Sequence, residues 1–278
     1  MSFGPRPWQQ AHWDWRAAAN FVFGGAGVGL IVAITIAWQD SPAARALMLA
    51  GAALVGLGLT GVWLEIGRPL RALHVYFNPR TSWMSREALA SLPLVGCALT
   101  AALTGRHAWA LGAAFSALAF LYCQGRMLHA SKGIPAWREP WVTPLVLITG
   151  LAEGAGLSVA TLVWLADIDG LAMTLLSALA LARALVWRGY RARLARHCDP
   201  RALAPLDAAG GTLWWAGTVL PLSALIAAYV APAAAAPLAT LAGLAALGAG
   251  WSLKYTLVTR AAFNQGFSLP VLPVRGTR

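Results

Sequence analysis

The feature that most constrains this chain is a series of apolar runs, separated by short polar segments. Each run is about 20 residues long, the length at which a helix spans the hydrocarbon core of a bilayer. Charged residues make up only 11% of the chain, against roughly 25% in a soluble domain, so a water-soluble globule would lack polar surface. The pattern therefore predicts an all-α, polytopic membrane protein surrounded by lipid.

The apolar runs predict eight transmembrane helices, called spans one to eight. Tryptophans support this placement because many fall near predicted span ends, where an amphipathic ring prefers the headgroup layer. The predicted spans cover about residues 17–38, 46–66, 86–104, 108–128, 141–165, 171–189, 211–230 and 234–254. We expect two four-helix halves, residues 1–130 and 141–278, joined by a linker at residues 131–140.

The net charge of +11 indicates membrane topology rather than nucleic-acid binding, because the basic residues crowd between apolar runs. With an even number of spans, both termini share one side with the connections after spans two, four and six. That side holds 18 of the 21 basic residues, the opposite loops hold Arg45 and Arg106, and Arg183 lies inside span six. The positive-inside rule then predicts that the termini and segments 67–85, 129–140 and 190–210 are cytoplasmic, in a bacterial inner (plasma) membrane.

The cysteine and histidine positions argue against two kinds of metal centre. Cys97, Cys123 and Cys198 are far apart and form no C-x-x-C motif, so we expect neither a disulfide framework nor an iron-sulfur cluster held by this chain alone. A membrane cytochrome b needs pairs of histidines at bilayer depth, whereas the five histidines lie at span ends or in loops. We therefore expect no haem and no metal.

One glycine pattern resembles a nucleotide-binding motif. Gly56-x-Gly58-x-x-Gly61 matches the dinucleotide fingerprint as a string, but it lies inside span two with no preceding strand. Packing of small residues between helices is the better interpretation, and it also applies to Gly25-x-x-x-Gly29 in span one.

The densest polar segment, residues 65–87, connects span two to span three. It combines carboxylates, arginines, an imidazole and an indole in Glu65, Arg68, Arg71, His74, Trp83 and Glu87. One interpretation is a basic loop followed by a helix that Ser82 or Ser85 caps. The functional interpretation is a site that binds a polar head group and exchanges its protons, while the tail of the ligand stays in lipid.

Two stretches carry a resemblance to a known family. Residues 65–91, EIGRPLRALHVYFNPRTSWMSREALAS, resemble the span two to span three signature of the NrfD/DmsC superfamily, the membrane anchors of DMSO reductase, polysulfide reductase and related molybdenum enzymes. The stretch KYTLVTRAAFNQGFSLPVLPVRG, from Lys254 to Gly276, is similar to the tail of a subgroup associated with phenylacetyl-CoA:acceptor oxidoreductase.

The resemblance implies an anchor subunit that binds a quinone, ubiquinone or menaquinone, beside a four-cluster iron-sulfur subunit. That partner would connect to a molybdopterin catalytic subunit, so the clusters and the molybdopterin would lie in the partners only. Electrons would pass between the quinone and the iron-sulfur subunit, which would dock on the cytoplasmic side.

The resemblance also implies roles for individual residues. Glu87 matches the acidic residue early in span three, Glu65 replaces a functional histidine of the DMSO reductase anchor, and Asn20 matches an amide near the start of span one. We expect protons to be handled by Glu87, Glu65 and His74. We expect the quinone to be bound by Arg68, Trp83, Asn20 and Arg71.

Two other functions remain open from the sequence. A secondary transporter also carries polar residues at membrane depth, but it favours inverted repeats and paired broken helices. The sequence shows neither feature: Pro221 in span seven, for example, has no counterpart at the matching position of span three. If the chain were a purely structural membrane tether, the complex that it anchors would keep its turnover when residues of the 65–87 segment are replaced.

The clearest charges in the bilayer interior are Glu153 in span five and Arg183 in span six. At about 1.5 Å per residue, Glu153 lies roughly 18 Å from one surface and Arg183 roughly 20 Å from the other. In a core about 30 Å thick both are near mid-depth. We expect them to pair across adjacent helices, either to fix those helices or to conduct protons toward the quinone.

Overall fold

The computed structural model describes residues 6–66, 69–165 and 170–266. Eight helices within these ranges are long and apolar enough to cross a membrane, which confirms the predicted fold class. They are Trp15–Ile36, Pro42–Glu65, Trp83–Thr104, His107–Ala130, Val142–Leu165, Gly170–Leu194, Pro200–Val230 and Pro232–Arg260. The predicted residue Arg68 and the tail motif beyond residue 266 lie outside the described residues.

Local sequence explains where several spans begin and end. The side chains of Asp14, Ser41, Ser82 and Asp199 accept hydrogen bonds from backbone amides at the starts of spans one, two, three and seven. These caps satisfy amides that have no partner within the helix. Span three ends at Gly105, whose φ of 68° is a left-handed conformation that glycine adopts without strain.

Spans seven and six extend further than the sequence predicted. Span seven begins at Pro200 instead of about residue 211, and span six continues to Leu194, so the connection expected over 190–210 is only the short stretch between them. The charges on these extensions, such as Arg191 and Asp207, suggested a loop. They form an ion pair with an Nε–Oδ1 distance of 2.5 Å between the two helices instead.

Spans one and five touch through their backbones. A Cβ atom placed on Gly154 would overlap the backbone of Gly29 and Leu30, and one placed on Gly29 would overlap the carbonyl oxygen of Gly150. Small residues permit this approach, which maximises van der Waals contact in a solvent that gives helices no hydrophobic reason to associate. The division into two four-helix halves stays a prediction, and this contact joins helices from both.

The glycine pattern in span two serves helix packing, as predicted. A Cβ atom on Gly58 would meet the backbone of Gly24, and one on Gly61 would meet the carbonyl oxygen of Arg16, both in span one. Gly56 has no heavy atom within 4 Å of a Cβ placed on it. Two of the three glycines therefore bring span two against span one.

Three π-helical turns interrupt the described spans, at Asn20–Gly24, Trp215–Val219 and Thr256–Arg260. Such turns change the register of the backbone hydrogen bonds. A carbonyl in each accepts a hydrogen bond from a neighbouring side chain: Asn20 from Gln124 Nε2 at 2.9 Å, Gly217 from Arg183 Nη2 at 2.6 Å and Leu257 from Trp137 Nε1 at 2.8 Å. These bonds satisfy backbone groups where no bulk water reaches.

The N- and C-terminal segments meet on one side of the helices, together with the connections after spans four and six. The Gln10 amide donates to the Ala262 carbonyl at 2.9 Å, and the Gln265 amide donates to the Gly133 carbonyl at 3.2 Å. Arg201 Nη2 donates to the Pro7 carbonyl at 2.7 Å. We call the surface formed by residues 6–14, 131–141, 195–199 and 261–266 the terminal face.

The prediction that Glu153 pairs with Arg183 is wrong. Glu153 Oε2 accepts a hydrogen bond from Lys254 Nζ at 2.6 Å, whereas Arg183 donates to the carbonyl oxygens of Ala246 at 3.0 Å and Gly217 at 2.6 Å. Lys254 was expected at the basic surface. Span eight continues beyond it to Arg260, however, and Lys254 is only 1% exposed. Because span eight is longer than predicted, Lys254 lies inside the bundle, where it pairs with Glu153.

The glycine contact between spans one and five can be tested with a matched pair of substitutions. Gly154→Ala should lower the stability of the purified protein by about 1–3 kcal/mol or more, because its Cβ has no space. Gly56→Ala should change stability by less than about 1 kcal/mol, since its Cβ meets nothing. Thermal unfolding in detergent measures both, and equal midpoints for the two variants would contradict the close approach.

Candidate functional site

A cavity of about 420 Å³ lies at the end of the bundle where span two ends and span three begins. Its third wall is a 3-10 helix, Pro69–Phe77, which connects these two spans. The walls are mainly apolar and aromatic, and include Val62, Trp63, Tyr76, Met84, Glu87 and Ala88. Among the described residues that line it, only Glu87 carries a carboxyl group.

A smaller cavity adjoins the first. It shares Val62, Met84 and Glu87 with the larger cavity and extends to Asn20 and Glu65. Glu87 therefore lies where the two cavities meet. The larger cavity provides apolar space and the smaller one brings polar groups from spans one and two.

Glu87 is positioned by the start of span three and by span one. Ser82 caps span three, which places Glu87 just beyond the first turn, and Glu87 is 2% exposed. Asn20 Nδ2 donates a hydrogen bond to Glu87 Oε1 at 2.9 Å. Asn20 itself begins the π turn of span one, so the local register of that helix directs its amide toward Glu87.

Two buried amide oxygens near Glu87 have no hydrogen-bond partner within the protein. They are Oδ1 of Asn20 and Oε1 of Gln124. Gln124 lies in span four, and its Nε2 atom donates to the Asn20 carbonyl at 2.9 Å. Because leaving a buried acceptor unpaired costs free energy, the side-chain oxygen of Asn20, a residue that lines the smaller cavity, is suited to accept a hydrogen bond from a bound group.

Glu65 lies at the end of span two, on the side of the smaller cavity that faces the terminal face. It is half-buried, and nearby Arg16 donates to the Leu64 carbonyl at 3.2 Å. Arg16 also forms an ion pair with Asp14 at 2.9 Å, and its hydrogen bonds lower the pKa of the Asp14 carboxyl. The smaller cavity thus ends near charged groups at the start of span one.

Three other predicted site residues that the structure describes, His74, Arg71 and Trp83, do not line these cavities. His74 and Arg71 are exposed on the 3-10 helix, and the His74 ring packs edge-on against Phe77. Trp83 lies against the guanidinium groups of Arg86 and Arg126, at 4.1 Å and 4.8 Å from its ring centroid.

The structure therefore brings together Glu87, Asn20 and Glu65 of the predicted residues. Sequence reasoning missed Gln124 and the aromatic lining residues Trp63 and Tyr76. Gln124 had a readable signal, because a fully buried amide inside an apolar span is costly unless it serves a contact or a site. Among the described residues, no group of three or more His, Cys, Asp or Glu side chains is arranged to hold a metal ion.

Comparison with known proteins identifies one family. The family model described as DMSO reductase anchor subunit (DmsC) matches residues 11–190, which is 180 of the 278 residues. The match covers spans one to five and most of span six, and it includes Asn20, Glu65, Glu87 and Gln124. No curated protein matches the chain.

Proposed function

The chain belongs to the DMSO reductase anchor subunit (DmsC) family, and from that premise we propose that it binds a quinone in the cavity at Glu87. Membership makes it a membrane anchor subunit of a DMSO reductase-type oxidoreductase complex, associated with catalytic and iron-sulfur subunits. The finer proposal is that electrons pass between the quinone and the iron-sulfur subunit. The observation that carries it is an apolar cavity with one buried carboxyl group at its polar end.

The residues present fit a quinone. A volume of about 420 Å³ falls within the range of roughly 300–1,000 Å³ common for small-molecule sites. Apolar and aromatic walls suit a ring with a hydrocarbon tail, and Asn20, which lines the smaller cavity, offers an unpaired side-chain oxygen as an acceptor for a hydroxyl group. Glu87 and the Asn20 amide would bind the polar head, and Trp63 and Tyr76 would pack beside the ring.

When bound, a quinone supplies two-electron chemistry coupled to the movement of two protons. The residue placed to hold or pass a proton is Glu87, because it is the carboxyl group that reaches both cavities. Asn20 orients that carboxyl group through its bond to Oε1. Glu65 is less buried and lies toward Asp14 and Arg16, so it offers Glu87 a route for proton exchange with the terminal face.

This proposal rests on Asn20, Glu65 and Glu87. The other predicted site residues keep their expected roles only as predictions; they are His74, Arg71, Trp83 and Arg68. A surface position for His74 suits contact with the partner or with lipid headgroups better than contact with the ring.

The terminal face is the proposed docking surface for the iron-sulfur subunit, and we place it in the cytoplasm. Electron tunnelling requires the quinone head to be near the partner, and the cavity at Glu87 lies at the end of spans one to three that adjoins this face. The excess of basic residues on this side favours the cytoplasm by the positive-inside rule.

Orientation can be tested by cysteine labelling in a background with Cys97, Cys123 and Cys198 replaced by Ala. Arg196→Cys, at an exposed position on the terminal face, should react with a membrane-impermeant maleimide only after the membrane is permeabilised. Arg106→Cys, in the exposed loop between spans three and four, should react in intact cells. The reverse pattern would invert the proposed orientation.

Quinone reactivity can be tested with Glu87→Gln in the assembled complex. This substitution keeps the shape of the side chain and removes its ability to hold a transferable proton. It should lower turnover with a quinol or quinone by about 10²-fold or more, the usual contribution of a positioned acid or base. Turnover with an artificial dye that reacts at the partner subunits should stay unchanged.

The control is Asp40→Asn, which neutralises a carboxyl group in the connection between spans one and two, away from the terminal face. Asp40 Oδ1 accepts a hydrogen bond from Arg45 Nε at 2.8 Å, and Asp40 lines neither cavity. Its replacement should leave the ratio of quinone to dye turnover unchanged. An unchanged ratio in Glu87→Gln as well would contradict the quinone site and favour a purely structural tether.

A further inference from the structure

The π turn of span one connects the site at Glu87 to a charged pair in the bilayer interior. At the first residue of the turn, the Asn20 side chain donates to Glu87 Oε1 at 2.9 Å. At the second, the Phe21 carbonyl accepts a hydrogen bond from Lys254 Nζ at 2.9 Å. Lys254 Nζ also donates to Glu153 Oε2 at 2.6 Å. Glu87 is therefore bound directly to Asn20, and Glu153 is connected to the adjacent residue Phe21 through Lys254.

The interior pair is built into the packing. The Glu153 and Lys254 residues are 0% and 1% exposed. A Cβ atom on Gly25 would overlap Lys254 Nζ, and one on Gly250 would overlap Glu153 Oε1. The two glycines thus leave the space that the charged side chains occupy, and the opposite charges offset one another where an isolated charge would be costly.

The bond from Lys254 matters because the Phe21 carbonyl has to share its backbone donor. Within the helix it accepts a hydrogen bond from the Gly25 amide, which also donates to the Val22 carbonyl. Without the lysine, the α-helical register would satisfy this segment better, since no water replaces the lost donor in hydrocarbon. Removing the one-residue insertion of a π turn rotates the preceding residues by about 100° around the helix axis. Such a rotation would carry the Asn20 amide away from Glu87.

We propose that Lys254, held by Glu153, is a positioning residue of the quinone site: it keeps the π turn of span one in the register that points the Asn20 amide at Glu87. This inference rests on the proposed function of Glu87. Lys254 touches neither cavity among the described residues and acts through the Phe21 carbonyl.

In span seven a buried cation also binds a carbonyl of a π turn, but that turn makes no contact with the site at Glu87. Arg183 Nη2 donates to the Gly217 carbonyl in the π turn Trp215–Val219, again from the buried interior. None of the residues Trp215–Val219 lines the cavities at Glu87. Arg183 is therefore a matched control, a buried cation that binds a π turn elsewhere in the bundle.

The midpoint of Glu87 protonation depends on whether Asn20 donates its hydrogen bond to the Glu87 carboxyl group. The other groups around Glu87 must therefore be known. Asn20 faces it from span one, Glu65 from span two, Gln124 and Cys123 from span four, and Arg86 precedes it in span three. The charged neighbours of Glu153 are Lys254 and Arg183. Replacing Glu153 and Lys254 together removes no net charge, so its effect on Glu87 tests the connection through the π turn.

The test is an infrared pH titration of the full chain in detergent, without quinone. The protonated carboxyl band of Glu87 is obtained in each background as the difference from the same protein carrying Glu87→Gln. The double variant Glu153→Gln/Lys254→Met should move the midpoint of Glu87 protonation upward by about one pH unit. The carboxylate form loses the hydrogen bond that Asn20 donates to it, so protonation becomes easier.

A double-mutant cycle shows whether Asn20 carries the effect. Asn20→Leu alone should raise the midpoint by a similar amount, and adding it to the double variant should cause no further change, because both remove one bond. Arg183→Met should leave the midpoint where it is in the unmodified protein. Gly25→Ala displaces Lys254 Nζ without changing charge and should raise the midpoint, which keeps the test available if the double variant does not fold.

Additive shifts, or an unchanged midpoint in both the double variant and Gly25→Ala, would overturn the positioning role. A shift of equal size in Arg183→Met would also overturn it, because it would indicate a general effect of buried cations. The proposed function fails by a different measurement, an unchanged ratio of quinone to dye turnover in Glu87→Gln. The titration contains no quinone, so the two failures are distinguishable.

Discussion

The absence of bulk water around the spans is the constraint on which the rest of this structure depends. A backbone group that leaves the regular helical ladder must find a partner within the protein. The π turns of spans one, seven and eight each meet this requirement with a side chain from a neighbouring element. The irregular turns therefore bind helices together at defined positions, and one of these positions is the start of the candidate site.

The same constraint decides how the buried cations are satisfied. Arg183 carries five donors in a planar group, and its Nη1 and Nη2 atoms donate to the carbonyl oxygens of Ala246 and Gly217, while its buried Nε has no hydrogen-bond partner among the described residues. Lys254 is a more compact charge, and it binds the carboxylate of Glu153 together with one carbonyl. Similar depth in the bilayer predicted that Glu153 and Arg183 would pair, but Arg183 instead binds the Gly217 carbonyl of a π turn and the Ala246 carbonyl of span eight.

Span one is the central helix of the described bundle. In its most apolar stretch 78% of the residues are buried, a larger share than in any other span. Its glycines admit spans two and five at backbone distance, and its π turn holds Glu87 on one side and Lys254 on the other. This position explains how a site at the membrane surface and a charged pair in the interior come to share one structural element.

The sequence by itself determined the membrane class and the number of spans. It also predicted the cap at Ser82 and the packing role of Gly58 and Gly61. These features depend on span length, hydropathy and local hydrogen bonding, which act between residues close together in the chain. A family resemblance in residues 65–91 and at Asn20 directed attention to Glu87, Glu65 and Asn20, which the structure brings together. Only the tertiary structure decided that Gln124 joins them, that His74 and Trp83 do not line the cavities, and that Lys254 binds Glu153. These outcomes depend on helix register and on the competition between side chains and backbone carbonyls, which arise only when distant helices pack.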